Sequence, residues 1–129
     1  MANNSPALRV LVVDDEPLIR WSLVETLADR GWEVAEAGDK GTALRAVAEG
    51  GPFDVVLLDF RLPDSNDLHL LETLRKVSPD TRIILMTAFG APEVTQGALD
   101  LGAFRVVHKP FEVNEMASLV SQAHESRST

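Results

Sequence analysis

Five short runs of aliphatic and β-branched residues punctuate the chain, at 8–13, 32–36, 54–58, 81–86 and 104–107, and most of them lack polar alternation. A strand wetted on one face alternates apolar with polar side chains. Near-continuous apolarity instead predicts strands covered on both faces, as in a parallel sheet between two helical layers. The segments between the runs carry a helical period. At 17–30, Ile19, Leu23 and Leu27 recur at four-residue spacing, Pro17 suits the first turn, and Gly31 stops the helix. The stretch 39–49 is alanine-rich with Leu44 and Val47 inward, and Gly50-Gly51-Pro52 breaks it. At 68–77, Leu70, Leu71, Leu74 and Val77 form one stripe, and 113–124 carries Val113, Met116, Val120 and Ala123 in the same way. The helix expected at 91–101 is the least stable, because Gly97 lies inside it and Gly90 and Gly102 bracket it. Each glycine costs a helix about 1 kcal/mol relative to alanine.

Strand and helix thus alternate five times with short connections. The handedness of parallel crossovers leaves few ways to arrange them. The predicted architecture is α/β: a doubly wound, five-stranded parallel sheet with five helices in flavodoxin-like order 2-1-3-4-5. A chain of 129 residues holds one such domain, and at this size roughly two thirds of the extended surface can be buried without metal or disulfide staples. Residues 7–125 are expected to fold, with 1–6 a flexible N-terminus and 126–129 a tail or the start of a linker. Cysteine is absent, which removes disulfides, thiolate metal sites and cysteine nucleophiles together. At 45% hydrophobic and 25% charged residues, and with no long apolar run, the sequence predicts a cytoplasmic protein without a membrane partner. Twelve basic residues against twenty acidic ones give a formal charge of −8, and no basic stripe stands out, so direct contact with nucleic acid is not expected.

In a doubly wound sheet, ligands bind beyond the carboxyl ends of the strands, where the strand order reverses. The residues that end the apolar runs are polar: Asp14-Asp15-Glu16 after the first, Asp59 after the third, Thr87 after the fourth and Lys109-Pro110 after the fifth. Crowded carboxylates repel one another unless protons or a cation compensate. A hard divalent ion meets that need. Mg2+, with Mn2+ as an alternative, takes one or two carboxylates, keeps several waters and often completes its shell with phosphate oxygen. Lys109 is the candidate organic cation, able to pair with Asp59 and later to hold a phosphoryl oxygen. Asp59 ends the buried run and is the candidate nucleophile, since a carboxylate can form an acyl phosphate. Phosphoryl transfer needs mainly alignment and charge neutralisation, which a metal on Asp14 and Asp15, the lysine and the Thr87 hydroxyl would supply. A phosphoryl group would also draw Thr87 inward, pulling on the glycine-weakened fourth helix. Taken singly, each residue has a plainer reading: acids at a helix N-terminus, a loop acid, a capping hydroxyl, a solvated lysine. Their joint placement at successive strand ends favours one shared site.

These residues give the chain its resemblance to the receiver domains of two-component response regulators. Val12-Val13-Asp14-Asp15-Glu16, Leu57-Leu58-Asp59, Leu62-Pro63-Asp64, Met86-Thr87-Ala88 and Lys109-Pro110-Phe111 stand in that family's order and spacing. The resemblance implies that Asp59 is the phosphoacceptor, that Asp14, Asp15 and Asp59 with the backbone carbonyl of Arg61 hold Mg2+, that Thr87 is the switch hydroxyl and that Lys109 contacts the phosphoryl group. Ala88 would keep the approach open. It also implies a sensor histidine kinase or phosphotransfer protein as donor, docking on the first helix, with Trp21 either part of that surface or simply core, and an output domain or partner protein as receiver of the signal. A phosphorylation-dependent homodimer and a cis Lys109-Pro110 bond belong to the same implication. Ile19-Arg20-Trp21, Met86-Thr87-Ala88-Phe89 and Gly102-Ala103-Phe104 resemble receivers of nitrogen-regulator-like transcriptional activators. A stand-alone phosphorelay receiver is the alternative.

The sequence departs from the family pattern at Val106, where an aromatic ring usually turns inward with the threonine, and at Asp67, where glycine is usual. Phe104 lies two residues before Val106 and would share its strand face, although packing is its simpler role. His108, where proline is common, reads as a surface histidine. Among other functions, an aspartyl-phosphate phosphatase would need an acid at position 61, which is Arg, and a flavin module would meet repulsion from the acidic first loop. The domain is therefore expected to assist its own phosphorylation and dephosphorylation, not to turn over a separate substrate. Arg61 and Phe89, two residues beyond Asp59 and Thr87, would flank the attacking water. Phe89→Ala is expected to shorten the phosphoryl half-life, measured by the decay of radiolabelled protein.

Overall fold

A computed structural model of the chain describes residues 7–65, 68–88 and 92–126. Elements alternate as the pattern predicted: β1 Arg9–Val13, α1 Pro17–Ala28, β2 Glu33–Ala37, α2 Lys40–Gly50, β3 Val55–Asp59, α3 His69–Val77, β4 Arg82–Thr87, α4 Pro92–Asp100, β5 Arg105–His108 and α5 Val113–Ser126. All five strands pair in parallel, in the order β2-β1-β3-β4-β5. The central strands are buried on both faces. Every residue of β3 is buried, and its alternate side chains enter two different clusters. Leu11, Val56, Leu58 and Leu85 face α2, α3 and α4, where Leu70, Leu71 and Leu74 meet them. Val10, Leu57, Ile84 and Met86 face the opposite layer, meeting Leu23 and Leu27 of α1 and Met116 and Val120 of α5. Burying a Leu, Ile or Val side chain is worth about 1.5–3 kcal/mol. The sheet is therefore the rigid frame on which the loops hang.

Two expectations need correction. The spacing places Val77 on the apolar stripe of α3, yet it is 60% exposed. It is the last residue of the helix, and the chain turns away at Ser78, whose N–H closes onto the Leu74 carbonyl (2.9 Å). Phe104 does not share a face with Val106. Val106 packs with the α2–α4 layer and Phe104 with the α1 and α5 layer. Strand alternation begins only at Arg105, the first residue of β5, and Phe104 still belongs to the turn that precedes it. Asp67, Phe89, Gly90 and Ala91, the expected flexible segment 1–6 and positions 127–129 lie outside the described residues.

Gly97 has a packing reason to stand inside α4. A β-carbon there would lie 2.9 Å from Leu68 Cδ1, so the glycine lets the helix approach the start of α3. Gly31 and Gly102 hold φ of +84° and +102°, conformations that a side chain strains. Around Gly31 nothing lies within 4 Å, whereas a β-carbon on Gly102 would stand 2.7 Å from Arg75 Nε. The Arg75 guanidinium also binds the carbonyls of Pro79 (3.0 Å) and Thr81 (3.2 Å). Gly31→Ala is thus expected to cost about 1 kcal/mol from backbone strain alone, and Gly102→Ala about 2 kcal/mol or more because Arg75 must also move. Urea unfolding of the two variants measures the difference.

Candidate functional site

Parallel register brings the strand ends together. Val13 of β1 pairs with Leu58 of β3, Asp59 with Met86 of β4, and Thr87 with His108 of β5. Residues 14, 59, 87 and 109, far apart in sequence, therefore emerge along one rim. Backbone bonds fix them there: Asp14 N–H donates to the Ala37 carbonyl (3.0 Å), Phe60 N–H to Met86 (2.8 Å) and Lys109 N–H to Thr87 (2.8 Å). Asp14, Asp59 and Thr87 are all buried, at 0%, 6% and 3% exposure.

Carboxylate oxygens of Asp14, Asp15 and Asp59 lie within 4.8 Å of one another. The Lys109 ammonium donates to Glu16 Oε1 (2.7 Å), Asp14 Oδ2 (3.0 Å) and Asp59 Oδ2 (3.2 Å). An ammonium has three hydrogens. All are thus committed to carboxylates. Two further bonds orient the acids: Glu16 N–H donates to Asp14 Oδ1 (2.9 Å) and Arg61 N–H to Asp59 Oδ1 (3.3 Å). Beside them opens a cleft of about 330 Å³, lined also by Arg61, Leu62, Pro63 and Ala88.

The charges respond as crowding requires. Burial, then the neighbouring Asp14 charge, push the Asp59 carboxyl up to about 6 from its usual 3.8, although Lys109 and the Arg61 N–H pull the other way. Burial alone would lower the Lys109 ammonium, but hydrogen bonds to Glu16 and Asp14 and the charges of Asp59 and Asp14 outweigh it and hold the lysine firmly protonated. One ammonium against this set of acids leaves a net negative pocket of oxygen donors only. That donor set suits a hard divalent cation.

Asp14, Asp15, Asp59 and Lys109 therefore meet, with Arg61 and Ala88 at the edge of the cleft. Thr87 ends β4, buried, and the Lys109-Pro110 bond is cis. Phe104 and Val106 lie in the two packing layers and not in the cleft. Two participants were not foreseen from the sequence in these roles. Glu16 makes the shortest bond to Lys109, and its place in the acidic triplet was the available signal. Arg20 donates to the Asp14 carbonyl (2.7 Å) and to Glu36 Oε1 (2.9 Å), clamping the end of β1 to β2. In the sequence it stands only within Ile19-Arg20-Trp21, a segment of family resemblance, with no partner assigned.

A 2-1-3-4-5 sheet with buried acids and a paired lysine at its carboxyl rim has the CheY-like receiver fold. Residues 10–121 match the family model of the response regulator receiver domain, and the chain belongs to that family. It is 38% identical over 117 residues to the DNA-binding transcriptional regulator NtrC of Azospirillum brasilense, covering 91% of this chain and 24% of that protein. It is 32% identical over 114 residues to sporulation initiation phosphotransferase F of Bacillus subtilis, covering 88% of this chain and 91% of that protein. Among solved structures, the CheY-like receiver protein of Methanospirillum hungatei superposes with a TM-score of 0.89 at 28% identity, covering 95% of this chain and 97% of that one. The receiver domain of NtrX from Brucella abortus superposes at 0.82 with 32% identity, covering 91% and 98%. The chain spans about a quarter of the length of its NtrC and AtoC relatives. It is a receiver domain of two-component signalling.

The raised Asp59 carboxyl fixes a direction of pH dependence. Between 3.8 and about 6 the folded metal-free protein binds more protons than the unfolded chain, so its stability falls as pH rises through that window. Asp59→Asn removes the loss. In EDTA at neutral pH the variant is expected to exceed the wild type by on the order of 2 kcal/mol, with the gap closing below about pH 4. Urea unfolding at several pH values measures this.

Proposed function

We propose that this domain accepts a phosphoryl group on Asp59 from the phosphohistidine of a sensor histidine kinase or phosphotransfer protein, with Mg2+ required. The observation that carries the reading is the convergence of the Asp14, Asp15 and Asp59 oxygens within 4.8 Å, with the Lys109 ammonium bound to Asp59. In the transfer, an Asp59 oxygen attacks phosphorus and forms a P–O bond. The P–N bond breaks, and its electron pair leaves on the imidazole nitrogen. Asp14, Asp15, Asp59 and the Arg61 carbonyl are the residues that would hold the ion. When bound, Mg2+ supplies charge neutralisation for the phosphoryl oxygens and alignment of the group for in-line attack.

The remaining residues act around that step. Lys109 neutralises the acids before transfer and a phosphoryl oxygen after it. Thr87 offers a hydroxyl to the same group, and Ala88, with its single methyl, leaves the cleft open beside it. β4 and β5 would then move as a pair, because the Lys109 N–H is bonded to the Thr87 carbonyl (2.8 Å). Val106 cannot rotate as an aromatic side chain would, so the strand pair itself carries the displacement.

The chain aligns with about a quarter of a relative that is named a DNA-binding transcriptional regulator. This supports transcriptional control through an output domain or a partner protein, with the receiver itself making no contact to nucleic acid. Its match to 91% of a phosphotransferase relative supports the second reading, a stand-alone phosphorelay receiver. A phosphorylation-dependent homodimer fits either, as does a cytoplasmic setting. No helix among the described residues is long and apolar enough to cross a membrane.

Incubation with Mg2+ and a small acyl phosphate, followed by mass mapping, is expected to place one phosphoryl group on Asp59. EDTA should prevent it, and Asp59→Asn should abolish it while the protein stays folded. Lys109→Ala should still take up the group but lose most of the structural response, read as amide chemical-shift changes in β4 and β5. An unmodified Asp59 in folded wild-type protein would overturn the assignment.

A further inference from the structure

The first four backbone N–H groups of a helix have no acceptor inside it. At α2 the three donors that follow the N-cap Asp39 are satisfied from two sources. Thr42 N–H donates to Asp39 Oδ1 (2.7 Å), an ordinary local cap, and the bond from Ala43 N–H to the Asp39 carbonyl (3.0 Å) is the first regular bond of the helix. Lys40 and Gly41 donate instead to the two oxygens of Asp64, at 2.7 and 3.2 Å. Asp64 lies 24 residues beyond Lys40, in the loop that leaves Asp59. Two of these three donors are therefore held by a carboxylate from the phosphoacceptor loop. The bonds are charge-assisted, and the helix dipole favours the anion at that end.

The loop that carries Asp64 is a short hook. Leu62 N–H donates to the Ser65 carbonyl (2.7 Å) and Ser65 N–H returns to Leu62 (3.2 Å). The Leu62 side chain is buried in the α2–α4 core layer. Arg61 sits between this hook and Asp59, and its N–H is bonded to the Asp59 carboxylate (3.3 Å). The hook is thus fixed at its foot by Asp59 and Leu62 and at its tip by Asp64 on α2. With Asp64 released, the foot alone would have to set where the Arg61 carbonyl stands.

We propose that Asp64 is a positioning residue for the metal pocket: its two-oxygen grip on α2 sets the loop that presents the Arg61 carbonyl, and the same grip makes the start of α2 sense occupation of the pocket. The proposal rests on the Mg2+ reading given above. Linkage makes the effect reciprocal. If the grip favours the loop arrangement that binds the ion, the ion must favour the grip, so the amides of Lys40 and Gly41 should exchange more slowly when Mg2+ is bound. α2 then becomes a second element, apart from β4 and β5, through which the state of the pocket is felt.

Two caps on one helix give the test its control. Asp39→Ala removes the local cap and Asp64→Ala the cap from the loop, and both are expected to lower Tm. Mg2+ titration by calorimetry is expected to show affinity about tenfold weaker in Asp64→Ala, the scale on which outer partners of metal ligands act, and unchanged in Asp39→Ala. Asp64→Asn keeps one acceptor oxygen and should fall between, which preserves the test if the alanine variant folds poorly. Amide exchange by NMR should show Mg2+ protecting Lys40 and Gly41 in the wild type and not in Asp64→Ala. Wild-type affinity in folded Asp64→Ala and Asp64→Asn, or an equal loss in Asp39→Ala, would overturn the positioning role while leaving the metal pocket intact. Failure of the wild type to bind Mg2+ would remove the pocket reading itself, and this proposal with it.

Discussion

Burying like charges together is the constraint on which the rest of this structure depends. Asp14 is fully buried and Asp59 nearly so, and burial disfavours ionisation of the Asp59 carboxyl. Lys109 is the compensating cation, but its three hydrogens are shared among Asp14, Glu16 and Asp59. Burial first, and then the Asp14 charge, raise the Asp59 carboxyl, and the lysine beside it does not bring it back down. A pocket balanced on its own would gain nothing from a divalent ion. This one is short of positive charge while its acids are held in place by backbone bonds, so the geometry that costs stability is the geometry that suits a hard divalent cation.

The sheet makes that geometry possible, because topology decides which chain segments end side by side. With β1 next to β3 and both running the same way, Val13 opposite Leu58 sets Asp14 beside Asp59. A reversed β3 would carry Asp59 to the far edge. β4 and β5 add Thr87 and Lys109 by the same rule. The energetic support comes from the apolar clusters on the two faces, which tolerate a strained polar rim as long as the strands beneath stay packed. Arg20 extends this support outward by tying the Asp14 carbonyl to Glu36 on the neighbouring strand.

Strands buried on both faces write themselves into a sequence as unbroken apolar runs, which is why the architecture and the rim residues were legible without coordinates. What could not be read depends on where a local pattern stops or on which distant group a side chain meets. The stripe through Leu70, Leu71 and Leu74 continues by spacing to Val77, but the helix ends there and the chain turns away. Phe104 and Val106 are two residues apart, yet the alternation that would align them starts only at Arg105. Trp21, open between surface and core in the sequence, is 60% exposed. Arg20, Glu16 and Asp64 are polar residues whose partners lie across the fold. Nothing local distinguishes Asp64, on the start of a helix 24 residues earlier, from any turn aspartate.

The committed state of Lys109 also constrains how a signal can leave the pocket. On the proposed function, forming an acyl phosphate would turn one Asp59 oxygen into the bridging oxygen of a mixed anhydride and move negative charge outward onto the phosphoryl group. Of the three lysine bonds, the one to Asp59 is the longest, at 3.2 Å, and it would lose its charged acceptor. The bonds to Glu16 at 2.7 Å and Asp14 at 3.0 Å keep theirs. The ammonium could therefore exchange one partner for a phosphoryl oxygen while remaining on the other two, which would require little travel. The ammonium would then serve to hold the phosphoryl group in place, so that its loss uncouples the response without its own travel driving it. On that reading the displacement would arise at Thr87 on β4, whose hydroxyl would gain a phosphoryl oxygen as acceptor.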